Sequence, residues 1–273
     1  MKQAILVVAF GSTVDSAREH QIDAVVNRIK ERYTDYEVRL AFSSRIIVKR
    51  LRDRGIEIPT EQGALDALIG EGYTDIYVQP LHFTGGEEFD KLKHNILNHE
   101  RAHELNTLRV GRPLVYYMGQ EEHPNDYQIL IDTFVTSISV SNEDGLLLIG
   151  HGGLGSGNSA YGYLQYQLIR SGLNHIRVAT LENAPYVADI AVPWEWLDGK
   201  KPNKIYVHPL LLVLGDHALN DLFGDEEDSV VNVLKEAGYE VEEMHHALGE
   251  YTEIQDIYCQ HIQDCIDDIY GKR

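Results

Sequence analysis

The chain has 273 residues, of which 43% are apolar and 25% are charged, the balance of an ordinary globular protein. Its formal net charge of −19 disfavours nucleic acid and anionic lipid as partners, because like charges repel. No apolar run approaches the ~20 residues that cross a bilayer. The first apolar run lacks a cleavage site and predicts a β-strand, so we expect a cytoplasmic protein without a membrane partner.

Short apolar runs alternate with longer amphipathic stretches along the chain. The apolar runs predict strands at 4–10, 37–42, 75–81, 107–111, 145–149, 176–181, 204–213 and 240–243. The stretches between them predict helices near 15–32, 60–71, 87–105, 123–140, 158–171, 185–197, 228–237 and 253–270. Alternating strands and helices predict an α/β fold with parallel sheets. The two cysteines, Cys259 and Cys265, fall on different faces of the last helix and are expected to be free thiols.

The two halves of the chain resemble each other. ILVVAFGS near the start corresponds to LLLIGHGG, and IYVQPLHFTGGEEF corresponds to IYVHPLLLVLGDHAL, which aligns Glu88 with His217. A repeat of this length predicts two equivalent halves, 1–122 and 123–273, related by a pseudo-twofold axis. The terminal helices can cross between the halves. Because ligands bind beyond the carboxyl ends of parallel strands, we expect one cleft between the two halves.

Three strand ends in the second half carry groups that bind metal ions or transfer protons. His151 follows the fifth strand, Glu182 follows the sixth, and His217 lies just beyond the seventh. Two imidazoles and one carboxylate can hold a divalent first-row metal while leaving coordination positions open. A single histidine at a strand end is more often a hydrogen-bonded cap. Three such groups on one sheet edge favour a metal site.

The first half keeps the backbone pattern of the repeat but changes the side chains. Phe10 takes the place of His151, and Glu88 takes the place of His217. One half therefore presents metal-binding groups, and the other presents an aromatic ring and a carboxylate that can act on the opposite face of a flat ligand. Phe10 is as readily explained by core packing. Glu88 is alternatively a favourable charge at a helix N-terminus.

A glycine pattern suggests a different function. Gly150, Gly152 and Gly155 follow a strand, and Glu182 ends the next one, which together match the dinucleotide-binding fingerprint. This lone match does not explain the second histidine or the repeat. A nucleotide-binding oxidoreductase is therefore the minor alternative. The glycines beside His151 also allow a flat ligand to approach the backbone closely.

An anionic substrate needs local positive charge on so acidic a chain. The segment 43–54 supplies five cations: Arg45, Lys49, Arg50, Arg52 and Arg54. Arg45, Lys49 and Arg52 share one helical face. Arg45 lies closest to a strand end and is the favoured substrate ligand, whereas the others are as readily a solvated helix face.

A second group of histidines, His94, His99 and His103, falls on the predicted helix 87–105. His99 and His103 are separated as i and i+4, a spacing that can bind a metal ion on one helix face. Exposed polar positions are the favoured interpretation, because this helix face lies away from the predicted strand ends.

Four segments resemble a known family. They are AILVVAFGST, QPLHFTGGEEFDK, GHGG and LLLVLGDHALND, and they are similar to segments of the anaerobic sirohydrochlorin cobaltochelatases of vitamin B12 biosynthesis. The resemblance runs over essentially the whole chain. It implies the class II chelatase fold, with two flavodoxin-like halves and a cleft between them. It also implies insertion of Co2+ into sirohydrochlorin without ATP and with no cofactor beyond the substrate metal.

The resemblance also assigns roles to single residues. It implies metal binding by His151, Glu182 and His217, proton transfer by His151, and a cleft role for Glu88. The residues expected to contact the substrate are Phe10, Gly11, Ser12, Arg45 and Gly152. Insertion of Fe2+ or Ni2+ is an alternative, because affinity order alone does not select cobalt. A non-catalytic carrier of a tetrapyrrole or metal is another, and the sequence also allows a homo-oligomer.

Overall fold

The computed structural model describes residues 2–197 and 199–270. All eight predicted strands are present. They are β1 (Gln3–Ala9), β2 (Glu37–Phe42), β3 (Asp75–Pro80), β4 (Thr107–Val110), β5 (Gly145–Gly150), β6 (Ile176–Thr180), β7 (Lys204–Pro209) and β8 (Glu240–Glu243).

Helices connect the strands throughout. The α-helices are α1 (Asp15–Ala17), α2 (Asp23–Arg32), α3 (Arg45–Asp53), α4 (Glu61–Gly70), α5 (Glu87–Leu97), α6 (Asp126–Thr133), α7 (Ser159–Arg170), α8 (Val187–Ile190), α9 (Asp216–Phe223), α10 (Val230–Glu236) and α11 (Thr252–Ile266). A π-helical turn, Arg18–Ile22, joins α1 to α2. Among the described residues, no helix is both long and apolar enough to span a membrane.

The chain divides into two compact units. One is Met1–Tyr116 together with Gly249–Arg273, and the other is Tyr117–Leu248. The repeat in the sequence predicts a boundary between residues 122 and 123 and allows a terminal helix to cross. In the structure α11 belongs to the first unit, where it packs against α2 and β3.

Each unit contains one four-stranded parallel sheet. The order is β2-β1-β3-β4 in the first unit and β6-β5-β7-β8 in the second. The registers also correspond, since Val8 pairs with Pro80 and Ile149 pairs with Pro209. The same order and register in both units confirm the internal repeat and the predicted α/β fold.

The central strands of both sheets are buried, as expected for parallel strands with helices packed against them. Residues 4–9 of β1 and 145–150 of β5 are buried along their whole length, which explains why both segments are continuous apolar runs. In the second unit the ring of Trp194 packs so closely over Gly145 that a Cβ there would lie 2.5 Å from it. Cys259 and Cys265 are free thiols, as expected.

One predicted strand is too long. β7 ends at Pro209 rather than at residue 213, and the last ladder bond runs from the Leu210 amide to the Ile149 carbonyl (2.6 Å). Leu211 and Leu214 pack into the second core from a loop. The segment 210–214 is apolar for that reason and not because it is a strand. For the same reason the sequence did not predict α9, which begins at Asp216.

The predicted helix 87–105 is wrong in its second half. α5 ends at Leu97, and His99 lies beyond it with its Nε2 3.5 Å from Asp66 Oδ1. His103 sits in a separate 3₁₀ turn, where its Nδ1 is 2.8 Å from the Glu100 carbonyl oxygen. The i, i+4 pairing of His99 and His103 on one helix therefore does not exist.

Two other predicted helices are shorter than expected. The stretch 185–197 forms only α8 and a 3₁₀ turn, Trp194–Trp196, because Pro193 cannot continue the helical hydrogen bonds. The stretch 123–140 forms α6 followed by the 3₁₀ turn Val135–Ser137.

Candidate functional site

His151 and Glu182 lie side by side at the carboxyl edge of the second sheet. The pairing of β5 with β6 continues past both strands, because the Leu181 amide donates to the Gly150 carbonyl (3.0 Å) and the Glu182 amide to the His151 carbonyl (2.8 Å). His151 Nδ1 is consequently 3.9 Å from Glu182 Oε2. The two side chains are 59% and 65% exposed, so a ligand can reach both.

The spacing of this pair suits a shared metal ion. Donor atoms of imidazole and carboxylate bind first-row metals at roughly 2.0–2.2 Å. Two donors on the same ion therefore lie at most about 4.4 Å apart. The observed 3.9 Å falls within that limit.

Gly152 permits this close approach. Its φ is +82°, in the left-handed region that side chains disfavour. A Cβ atom there would lie 1.7 Å from the Glu182 carbonyl oxygen. Any larger residue would therefore push the loop after β5 away from the loop after β6. The structure shows that Gly152 leaves room for the neighbouring loop, and its contact with a flat ligand stays a prediction.

Tyr161, near the start of α7, packs against the same loop. A Cβ at Gly150 would lie 2.0 Å from the ring of Tyr161, which is buried. Burial raises the pKa of Tyr161 to about 12, while the Gly152 amide donates a hydrogen bond to its oxygen and opposes the shift. The phenol is therefore neutral at neutral pH and accepts the backbone N–H of the loop.

His217 is the second residue of α9 and is exposed. Within 2–197 and 199–270, no group of three or more His, Cys, Asp or Glu side chains is arranged to hold a metal ion. The structure thus brings together two of the three predicted ligands. The participation of His217 stays a prediction.

The loop after β1 in the first unit repeats the backbone arrangement. The Ser44 amide donates to the Phe10 carbonyl (3.2 Å), just as the Glu182 amide donates to His151. Gly11 has a φ of +107°, and a Cβ there would lie 2.6 Å from the ring of Phe42. The equivalence of Phe10 and His151 is therefore visible in the backbone.

Phe10 is 52% exposed, so core packing does not explain it. An exposed ring at a strand end is free to stack on a flat ligand. Ser12, by contrast, is buried, and its hydroxyl oxygen accepts the Val14 amide (3.1 Å). Ser12 shapes the turn after Gly11, and its contact with substrate stays a prediction.

Glu88 occupies the position that corresponds to His217. Each is the second residue of a helix, α5 or α9, and follows a glycine N-cap with extended backbone, Gly86 or Gly215. The loop before Glu88 is fixed by backbone bonds, since the carbonyls of residues 82 and 83 accept the amides of residues 114 and 115. Glu88 is exposed at the start of α5.

Arg45 is the first residue of α3, the helix that carries the predicted basic face. Ser44 caps this helix by accepting the Ile47 amide (3.4 Å). Arg45 is exposed and donates weakly to the neutral amide of Gln62 (3.3 Å). Two other cations of the segment are paired with carboxylates, in the ion pairs Lys49–Asp53 (2.9 Å) and Arg54–Asp15 (2.7 Å). Arg45 is thus the better candidate for binding a carboxylate.

Sequence reasoning missed Asn158, Tyr161 and His82. Asn158 hydrogen-bonds both the loop that carries His151 and the loop that carries Glu182. In the sequence, the only hint of this role is that an asparagine side chain stands in a glycine-rich segment. His82 follows β3, and both of its ring nitrogens are closed to solvent without a hydrogen-bond partner. Burial lowers the pKa of His82 to about 4, so the ring is neutral at neutral pH. No local pattern distinguished His82 from an exposed histidine.

Comparison with known proteins gives consistent matches along the chain. The family model described as cobalt chelatase (CbiK) matches residues 3–267. A sirohydrochlorin cobaltochelatase of Salmonella typhimurium is 30% identical over 270 residues, covering 98% of this chain and 97% of the relative. The sirohydrochlorin cobaltochelatase CbiKC of Nitratidesulfovibrio vulgaris is 26% identical over 263 residues, covering 96% and 89%.

Two solved structures share the fold. SirB from Bacillus subtilis with Fe3+ superposes with a TM-score of 0.68 at 18% identity, covering 100% of this chain and 98% of that one. CbiX, described as the terminal enzyme for siroheme biosynthesis in denitrifying bacteria, has a TM-score of 0.54 at 17% identity, covering 95% and 98%. At these identities the likeness concerns the fold alone.

The close approach at Gly152 makes a testable prediction. Gly152→Ala should lower the free energy of unfolding by about 2 kcal/mol or more, because the new Cβ meets a backbone carbonyl and the left-handed φ is strained. Gly153→Ala is the matched control, since a Cβ there has no atom within 4 Å, and it should change stability by less than about 0.5 kcal/mol. Denaturant unfolding measures both. Equal stabilities of the two variants would contradict this account of the loop.

Proposed function

Since this chain belongs to the cobalt chelatase (CbiK) family, we propose that it inserts Co2+ into sirohydrochlorin and that His151 and Glu182 bind the metal during insertion. The activity follows from the family and from two relatives named as sirohydrochlorin cobaltochelatases. The assignment of the metal ligands is supported by one observation, the 3.9 Å approach of two exposed donor groups at a sheet edge.

The reaction has two chemical demands. The macrocycle must lose two pyrrole protons as it takes up Co2+, and the ion must lose its bound water. A neutral imidazole is suited to accept a proton near neutral pH, so His151 takes one pyrrole proton once it has released the metal to the ring, and the second proton passes to Glu88 or to water. Glu182 stabilises the imidazolium that results, because its carboxylate lies beside the ring. The same two groups replace water on the ion before transfer, and His217 completes the ligand set.

The choice of metal rests on the family and not on the ligands. Imidazole and carboxylate bind Fe2+ and Ni2+ as well as Co2+. The matching family model and both named relatives are cobalt chelatases, which favours cobalt. Those relatives are named as enzymes, which favours a catalytic role over that of a non-catalytic carrier. A homo-oligomer and a cytoplasmic location stay predictions from the sequence.

Sirohydrochlorin is a flat ring that bears many carboxylates, and the first unit offers groups for both features. The exposed ring of Phe10 contacts the macrocycle, and Arg45 binds a carboxylate. Gly11 leaves room for the ring of Phe42, and Gly152 leaves room for the Glu182 carbonyl, so each strand-end loop can pack closely against its neighbour in the same unit.

Glu88 is proposed as a second catalytic group. Its support is the internal repeat, since its helix position is that of the predicted metal ligand His217. A carboxylate there accepts a pyrrole proton or attracts the incoming cation. The alternative is a favourable interaction with the helix dipole, which Glu87 and Asp90 in the same first turn would share.

The metal-site proposal predicts that His151→Ala slows cobalt insertion by about 10²-fold or more, as expected when a general base is lost. The assay incubates the purified protein with sirohydrochlorin and Co2+, Fe2+ or Ni2+ and follows the absorbance change on insertion. His245→Ala is the matched control, because His245 Nε2 also lies near a carboxylate, 2.9 Å from Glu243. Near-normal insertion by His151→Ala would rule out the proposed role.

A separate prediction concerns Glu88. If its charge serves the reaction, Glu88→Gln should slow insertion while leaving the melting temperature nearly unchanged, and Glu87→Gln should leave turnover as it is. If both residues act only on the helix dipole, each Gln variant should lose about 0.3–1 kcal/mol of stability with normal turnover. Parallel measurements of melting temperature and initial rate separate these outcomes. Small and equal effects of both substitutions on the insertion rate would mean that Glu88 interacts only with the helix dipole.

A further inference from the structure

The side chain of Asn158 joins the loop that carries His151 to the loop that carries Glu182. The Gly153 amide donates to Asn158 Oδ1 (3.1 Å), and Asn158 Nδ2 donates to the Ala184 carbonyl oxygen. One planar amide thus accepts from the first loop and donates to the second. Asn158 itself lies in the 3₁₀ turn Gly155–Asn158, immediately before α7.

This contact extends the backbone pairing of the two loops. That pairing ends with the bond from the Glu182 amide to the His151 carbonyl, which follows the bond from the Leu181 amide to the Gly150 carbonyl. Gly153 and Ala184 each lie two residues further along their loops. The Asn158 contact therefore joins the loops beyond the last backbone bond and fixes their relative orientation there. The orientation in turn sets the distance between the imidazole and the carboxylate.

The two bonds require an amide. If the ends of the Asn158 side chain were exchanged, its NH2 group would face the Gly153 N–H and its oxygen would face the Ala184 carbonyl, so both bonds would be lost. Aspartate has nearly the same shape but accepts only, so it keeps the bond to Gly153 and loses the bond to Ala184. Alanine loses both.

We propose that Asn158 is a positioning residue for cobalt insertion, which holds His151 and Glu182 at the spacing that binds Co2+. It touches neither the metal nor the macrocycle and acts through the two loops. This inference rests on the proposed metal-binding role of His151 and Glu182.

The test measures insertion rates for Asn158→Ala and Asn158→Asp while Co2+ and sirohydrochlorin are varied independently. Both variants should raise the KM for Co2+ by about 10- to 100-fold, the usual cost of losing a partner that orients a metal ligand. The KM for sirohydrochlorin should be unchanged, and kcat should recover at saturating Co2+. A merely structural role would instead lower kcat and leave both KM values as they are. Asn158→Asp controls for misfolding of the alanine variant, because aspartate keeps the size of the side chain and the hydrogen bond from the Gly153 amide.

Ser159→Ala is the matched control. It removes a hydrogen bond from Ser159 Oγ to the Ser156 carbonyl (2.6 Å) in the same segment without altering either hydrogen bond of Asn158, and should leave the KM for Co2+ unchanged. A wild-type KM for Co2+ in either Asn158 variant overturns the inference. His151→Ala, assayed alongside, separates the two claims. Normal insertion by that variant refutes the metal site itself, whereas its failure combined with normal Asn158 variants refutes only the positioning role.

Discussion

The backbone hydrogen bond from the Glu182 amide to the His151 carbonyl governs the arrangement of the second unit's edge. It extends the parallel pairing of β5 and β6 beyond the strands and places two side chains from distant parts of the chain next to each other. The approach is possible only because Gly152 has no side chain to meet the Glu182 carbonyl. The spacing of the His151 and Glu182 side chains therefore depends first on backbone geometry.

The first unit has the same backbone hydrogen bond after its first strand but carries different side chains there. The Ser44 amide pairs with the Phe10 carbonyl, and Gly11 adopts a left-handed φ like that of Gly152. Phe10 in place of His151 replaces an imidazole with an exposed aromatic ring. One backbone arrangement thus presents an imidazole and a carboxylate in one unit and an exposed aromatic ring in the other. This division fits a chelatase, whose substrates are a metal ion and a large flat ring.

Much of this arrangement could be predicted from the sequence because buried parallel strands are continuous apolar runs, and functional groups follow their carboxyl ends. That reasoning located all eight strands and the neighbouring positions of His151 and Glu182. It failed where local composition was ambiguous. The apolar segment after β7 suggested more strand, and the polar segment after α5 suggested more helix. Asn158 was missed because its partner Ala184 lies 26 residues away, a relation that no local pattern contains.

The central claim is that His151 and Glu182 bind Co2+ together, and X-ray absorption at the cobalt edge tests it most directly. The measurement compares the cobalt-loaded protein with its His151→Ala variant in the absence of sirohydrochlorin. We expect nitrogen and oxygen ligands at roughly 2.0–2.2 Å, with one imidazole fewer in the variant. An all-water shell around cobalt, or the same number of imidazoles in both proteins, would contradict the account.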